Sequence, residues 1–178
     1  MKNEYLIFEG DYLNEKRNGK GKEYFRDGEL LFEGEYINGK KWNGKGYNKK
    51  GDIEFEIKDG KGKIKEYGHL DNLKFEGEYL NGEKNGKGIE YYEDIWGDYS
   101  SDIIVFEGEY LDGERNGKGK EYNEDGTLLF EGEYLDGERN GKGKQYDYHG
   151  ELLFEGEYLD GERNGKGKEY DDFGRLLF

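Results

Sequence analysis

The chain has 178 residues, of which 40 % are charged and only 31 % hydrophobic, with 32 glycines and neither proline nor cysteine. The absence of cysteine excludes a disulfide framework, a thiolate metal site and a cysteine nucleophile, and the net charge of −15 disfavours nucleic acid and anionic membrane surfaces as partners. Seventeen tyrosines and ten phenylalanines are more aromatic content than a disordered chain carries, so this acidic sequence reads as folded, its charge suiting a basic protein partner or serving solubility alone.

The opening stretch, "MKNEYLIFEG", has no apolar core of signal-peptide length, and no later segment approaches the roughly 20 apolar residues of a membrane span. A cytoplasmic protein without membrane association is expected. A repeat begins almost at once. Its phenylalanine recurs at Phe8, Phe32, Phe55, Phe75, Phe106, Phe130, Phe154 and Phe178, and "FEGEYLDGERNGKGK" stands unchanged at 106–120, 130–144 and 154–168. Self-similarity at this period marks an array in which each unit covers its neighbour. The expected organisation is a single array over 1–178. Regular units lie at 8–54 and 75–92, an irregular unit at 55–74, an insertion at 93–105, and further regular units over 106–178.

Within a unit the apolar pattern has period two. In Phe130-Glu131-Gly132-Glu133-Tyr134 the aromatics and the glycine share one side and the glutamates take the other. Turn residues follow, then Gly141-Lys142-Gly143-Lys144 alternates again, and no helical stripe competes. Each unit is therefore a predicted β-hairpin. A four-residue loop at Asp136–Arg139 sets Glu133 against Lys142, Glu131 against Lys144, Tyr134 against Gly141 and Gly132 against Gly143. A two-residue turn at Asp136-Gly137 keeps the faces but slides the partners. If "DYHG" at 147–150 is the next loop, Phe154 lies beside Gly143 of the preceding hairpin, whose bare backbone gives the ring a floor.

The motif "FEGEYLDGERNGKGKEY" resembles the MORN repeat, whose usual form is Y-x-G-x-W/Y-x-x-G-x-x-x-G-x-G. Phe130, Gly132, Tyr134, Gly137, Gly141 and Gly143 fall on that pattern, with Phe in place of the first Tyr. The resemblance is strong over 106–178, good over 8–46 and 75–92, and poor over 51–73. It implies an all-β fold: an elongated, twisted, single-layer antiparallel meander of one hairpin per repeat. Its functional implications are broad, spanning cytoskeletal and membrane-junction scaffolds, dimerisation rods, arrays beside catalytic domains, and antitoxin-like bacterial proteins. The family's link to acidic lipids sits badly with the charge of this chain.

Chemistry is thinly supplied. The hydroxyl nucleophiles other than tyrosine are Ser100, Ser101 and Thr127, and the imidazoles are His69 and His149. His149 falls in a loop where the matching positions of other units are Asp125 and Phe173, so no site shared by the array uses it. The repeated "GKGK" lacks the spacing, the Ser or Thr and the helix of a phosphate loop, and "NEDGT" lacks the ligand spacing of a calcium loop. No enzyme activity, metal or cofactor is expected.

What remains is surface. A one-layer sheet with an apolar side leaves an aromatic groove, formed here by Phe106, Tyr110, Phe130, Tyr134, Phe154 and Tyr158. The acidic excess crowds the tips at Asp136, Glu138, Asp160 and Glu162, forming a comb with teeth about 9–10 Å apart. Trp42, which takes the tip position usually held by Arg, joins Trp96 and Tyr99 of the insertion as candidate anchors. The last strand offers an edge to a partner or a second copy, so a homodimer through the sheet face or the terminal edge strand is expected. The sequence thus predicts a non-catalytic interaction scaffold or dimerisation module. The alternative is a specific inhibitor, antitoxin-like, that blocks one basic target protein.

Overall fold

The computed structural model describes residues 5–68, 70–93, 103–171 and 173–177, and among them it is all-β, with fourteen strands and no helix. It divides into two compact units, one running through Lys84 and the other beginning at Asn85, with Glu93 returning to the first. The first unit contains β1 (Phe8–Leu13), β2 (Lys16–Tyr24), β3 (Leu30–Ile37), β4 (Lys40–Tyr47), β5 (Ile53–Lys58), β6 (Lys61–Tyr67) and β7 (Leu73–Leu80). Strand β8 (Glu83–Tyr91) begins at the boundary. The second unit continues with β9 (Ile104–Leu111), β10 (Glu114–Tyr122), β11 (Leu128–Leu135), β12 (Glu138–Tyr146), β13 (Leu152–Leu159) and β14 (Glu162–Glu169). Inside each unit every strand pairs antiparallel with the strands before and after it in the chain, so the hairpin meander implied by the repeat is the observed architecture.

The tip of the hairpin corrects the four-residue loop. Asp136 and Gly137 both have positive φ, +49° and +88°, which makes a two-residue turn whose twist suits the flanking strands. Leu135 then faces Glu138, and Tyr134 faces Arg139 rather than Gly141. Further down, Glu131 does face Lys144 and Gly132 does face Gly143, as the longer loop would have placed them. A bulge in β12 reconciles the two registers. Gly141 turns through φ +96°, and the Glu133 carboxylate accepts the backbone N–H of Lys142 at 2.9 Å. Glu133 is thus the bulge's hydrogen-bond acceptor, while Lys142 lies opposite Glu157 of the next hairpin. The same capping bond runs from Lys20 to Asp11, Lys118 to Glu109 and Lys166 to Glu157.

Successive tips are fastened to one another. The N–H of Gly137 donates to the Arg115 carbonyl at 2.9 Å, and that of Gly161 to the Arg139 carbonyl at 3.0 Å. At the opposite end, the side chain of Asp147 accepts the backbone N–H groups of His149 and Glu151, both at 2.8 Å, and so fixes an exposed loop in which His149 has no shared role.

The ring packing also differs from expectation. Phe154 stands opposite Gln145, and its ring lies over Gly156 and Gly167 of its own hairpin instead of Gly143 of the preceding one. Phe130 likewise covers its own Gly132 and Gly143. Phe55 is the exception. Its hairpin carries Ile57 and Ile64, both buried, in the two glycine places, so the ring leans back over Gly46 of the preceding hairpin and stacks on Phe32 at 6.2 Å.

A methyl group at Gly132 would lie 2.7 Å from both Phe130 Cζ and the Lys142 carbonyl, whereas one at Gly161 (φ +82°) would meet nothing within 4 Å. Gly132→Ala is therefore expected to cost about 3 kcal/mol through overpacking, and Gly161→Ala only about 1 kcal/mol through left-handed backbone strain. Urea unfolding of the two variants checks the ordering.

Candidate interaction surfaces

The aromatic side is closed by its own residues. Phe130 is fully buried, with the edges of Tyr134 and Tyr158 at centroid distances of 5.6 and 5.1 Å. Above the ring sits the Arg139 guanidinium, 4.2 Å from the centroid. That guanidinium donates to Glu121, which also accepts the Tyr134 hydroxyl at 2.8 Å and lies 3.5 Å from Arg115. Each part follows from register. The two-residue turn puts Arg139 across from Tyr134, and β10–β11 pairing puts Glu121 across from Phe130, so both charges fall on the side of the rings. The pattern recurs as Arg115 over Phe106 with Glu90, Arg17 over Phe8 with Glu23, and Arg163 over Phe154 with Gln145 and Glu169. In the first unit Lys41 and Lys84 do the same over Phe32 and Phe75.

This corrects the groove. Phe106, Tyr110, Phe130, Tyr134, Phe154 and Tyr158 are all buried and offer a partner no ring surface. Trp42 is misassigned as well: Lys41, not Trp42, stands opposite Tyr36 in the arginine place. The half-buried indole instead rests against Gly60 at the tip of the β5–β6 hairpin, and the Trp42 carbonyl accepts the Gly60 N–H at 2.8 Å. Trp96 and Tyr99, like His69, Ser100 and Ser101, lie outside the described residues. The four-residue loop hides the arginine–glutamate–tyrosine lattice, because it places Arg139 in the loop itself. The signal that finds it is Asp136-Gly137 taken as a two-residue turn.

Desolvation, with Glu121 beside it, holds the Tyr134 phenol well above the ordinary tyrosine range, and Glu90 and Glu23 do the same for buried Tyr110 and Tyr36. On the other side of the sheet, partial burial and a 2.9 Å hydrogen bond to Glu131 push Tyr146 up to about 12. That side carries glutamate–lysine ladders, such as Lys144 with Glu131 at 3.8 Å.

The tips are the open surface. Leu111 and Leu135 are each 50 % exposed and Leu159 48 %, one per hairpin, and each is followed by two exposed acids: Asp112 and Glu114, Asp136 and Glu138, Asp160 and Glu162. The acids were legible as a comb. The leucines beside them carry no such mark in the sequence.

The sequence matches the MORN repeat family over residues 8–29, 75–94, 106–128, 130–150 and 154–174, more than half of the chain. The chain belongs to the MORN repeat family. MORN repeats form a non-enzymatic family generally associated with protein and membrane interaction. The longest unmatched stretch, 30–74, contains the hairpins with Lys41, Gly46, Ile57 and Ile64 in the places of Arg, Glu and the two glycines. A comparison with curated proteins returned no match. Among the described residues no helix is long and apolar enough to cross a membrane.

The interior lattice gives two predictions. Glu121→Leu strips the acceptor from Arg139 and the Tyr134 hydroxyl and is expected to cost about 2–3 kcal/mol. Glu121→Gln costs about 1 kcal/mol or less, because Gln145 already holds Arg163 in the same place through bonds of 2.9 and 3.1 Å. Denaturant melts of the two variants separate the cases. Raised phenol values mean the native state keeps its tyrosine protons while the unfolded chain, titrating near 10, releases them. Stability is therefore full below about pH 10 and falls as pH climbs, with Tyr146 ionising in the folded protein near 12 and Tyr134 only on unfolding. Tyrosinate absorbance followed together with circular dichroism tests this.

Proposed function

We infer that the protein is a non-catalytic interaction scaffold whose contact surface is the row of hairpin tips, and that its partner is a basic protein. The single observation carrying this reading is the tip pattern of the second unit. There an exposed leucine followed by two exposed acids repeats on three consecutive hairpins, and hydrogen bonds between neighbouring turns hold the pattern in place. Aliphatic groups at regular intervals supply apolar contact, while the surrounding carboxylates favour cationic partners and repel acidic ones. The rigid turns keep the ordering cost of binding low. The buried rings take no part, since their surface is used inside the array.

A photo-crosslinking residue at position 135 is expected to capture a basic protein from extracts of the source cells, and one at exposed Tyr148, in a loop at the opposite end of the hairpins, to capture none. Replacing Leu111, Leu135 and Leu159 together by Ser should weaken the captured protein's binding at least about tenfold, a loss of roughly 1.4 kcal/mol, with the unfolding transition unchanged. Crosslinks at 148 and none at 135 would refute the tip surface. A single tight, stoichiometric partner would make the chain a dedicated inhibitor instead of a scaffold.

A further inference from the structure

Strands β10 and β14 share the sequence ERNGKGKE, yet they differ in burial. In β10, Arg115, Asn116 and Gly117 are half-buried and Gly119 is buried, while every residue of β14 is exposed. What differs is the neighbour. Strand β10 lies between β9 and β11, whereas β14 has β13 on one edge and, among the described residues, only Leu176 and Leu177 at the start of the other. The opposite half of the same junction is on β1, which among the described residues pairs with β2 on one edge. Its sequence FEGDYL nearly repeats the FEGEYL of β11, but Tyr12 is 60 % exposed where Tyr134 is 4 %.

We propose that β14 of one copy pairs with β1 of a second copy, rebuilding between molecules the junction that joins successive hairpins within one. The interior pairing of β12 with β13 sets the register. Gly141, Lys142, Gly143, Lys144 and Gln145 face Tyr158, Glu157, Gly156, Glu155 and Phe154, so Gly165, Lys166, Gly167, Lys168 and Glu169 face Tyr12, Asp11, Gly10, Glu9 and Phe8. Every rung is complementary. Two lysines meet two carboxylates, and glycine meets glycine. Inside the array Glu121 holds the tyrosine and the arginine of the following hairpin; Glu169 holds Arg163 of its own hairpin at 2.9 Å and would receive Tyr12 and Arg17 of the second copy. The edge of Tyr12 would cover Phe154 as Tyr158 covers Phe130.

One obstacle is built in. Leu176 bridges to Tyr170, and the Leu177 N–H donates to the Glu169 carbonyl at 2.7 Å, which is the rung that Leu6 and Ile7 of the incoming copy would claim. Both leucines are exposed, 55 % and 41 %, so lifting them exposes little new surface. The contact is heterologous, joining unlike ends. It uses neither the hairpin tips nor their partner, so it stands or falls apart from the tip reading.

Sedimentation velocity on the full chain, in salt high enough to screen the −15 charge, is expected to show mass rising with concentration. Tyr12→Lys sets a cation against Arg163 of the second copy and should raise the dissociation constant about tenfold or more; because Arg17 stands across from Tyr12 in its own hairpin, the melting curve of the dilute chain is followed alongside to separate lost folding from lost association. Glu9→Lys and Lys168→Glu should each weaken self-association severalfold, and mixing the two proteins should restore it, because every new junction then pairs opposite charges. A wild type that stays monomeric throughout, a Tyr12→Lys chain that associates undiminished, or a mixture no stronger than its components would overturn the proposal.

Discussion

A benzene ring laid on two glycines is the contact from which the rest of the hairpin follows. Phe130 can lie flat only because Gly132 and Gly143 present bare backbone beneath it, and once it does, its upper face and edges need covering. The covering is polar. A guanidinium sits over the ring face, where the quadrupole attracts it at about 0.5–2 kcal/mol depending on desolvation, and two tyrosine edges approach from the sides in the preferred perpendicular geometry. A cation placed there needs an anion, which Glu121 supplies from the preceding hairpin. A chain with little aliphatic content can thus build an interior from rings, backbone and paired charges.

That requirement also explains the turn and the bulge. For its guanidinium to reach the Phe130 ring, Arg139 must stand directly across from Tyr134, and only the two-residue Asp136-Gly137 turn puts it there. For Gly143 to form part of the floor, it must stand across from Gly132, two residues out of step with that turn. The bulge at Gly141 absorbs the difference, and the Glu133 carboxylate takes up the backbone N–H freed by it. The second glutamate of the motif is thus fixed by backbone chemistry as much as by cross-strand charge.

Period-two alternation was enough to read the strands, the faces and the meander from the residues, because one misplaced step would have set lysines among the rings. The tip was harder. Its two-residue and four-residue registers both satisfy alternation, and only a bulge, which leaves no mark beyond one more glycine in a glycine-rich sequence, lets both be true at different heights of the same hairpin. Misplacing Arg139 hid the lattice, and a hidden lattice made the rings look open. The exposed leucines were overlooked for a related reason: Leu135 continues an apolar run after Tyr134, yet it belongs to the opposite face.

The irregular third hairpin shows how closely these parts are coupled. Ile57 and Ile64 fill the floor, so Phe55 must find glycine elsewhere, and it does so at Gly46, where a regular hairpin would carry the glutamate. Lys41 over Phe32 keeps the regular anion, Glu23 of the hairpin before, at 2.7 Å, so the glutamate lost at Gly46 leaves that cation paired. The tip turn survives at Asp59-Gly60, but without glycines to align, the hairpin has no bulge, and Ile57 faces Gly62 directly. A random loss of pattern would have left a buried charge or an uncovered ring. The correlated changes at Gly46, Ile57 and Ile64 keep Phe32 and Phe55 buried, which marks this hairpin as an alternative packing of the same array.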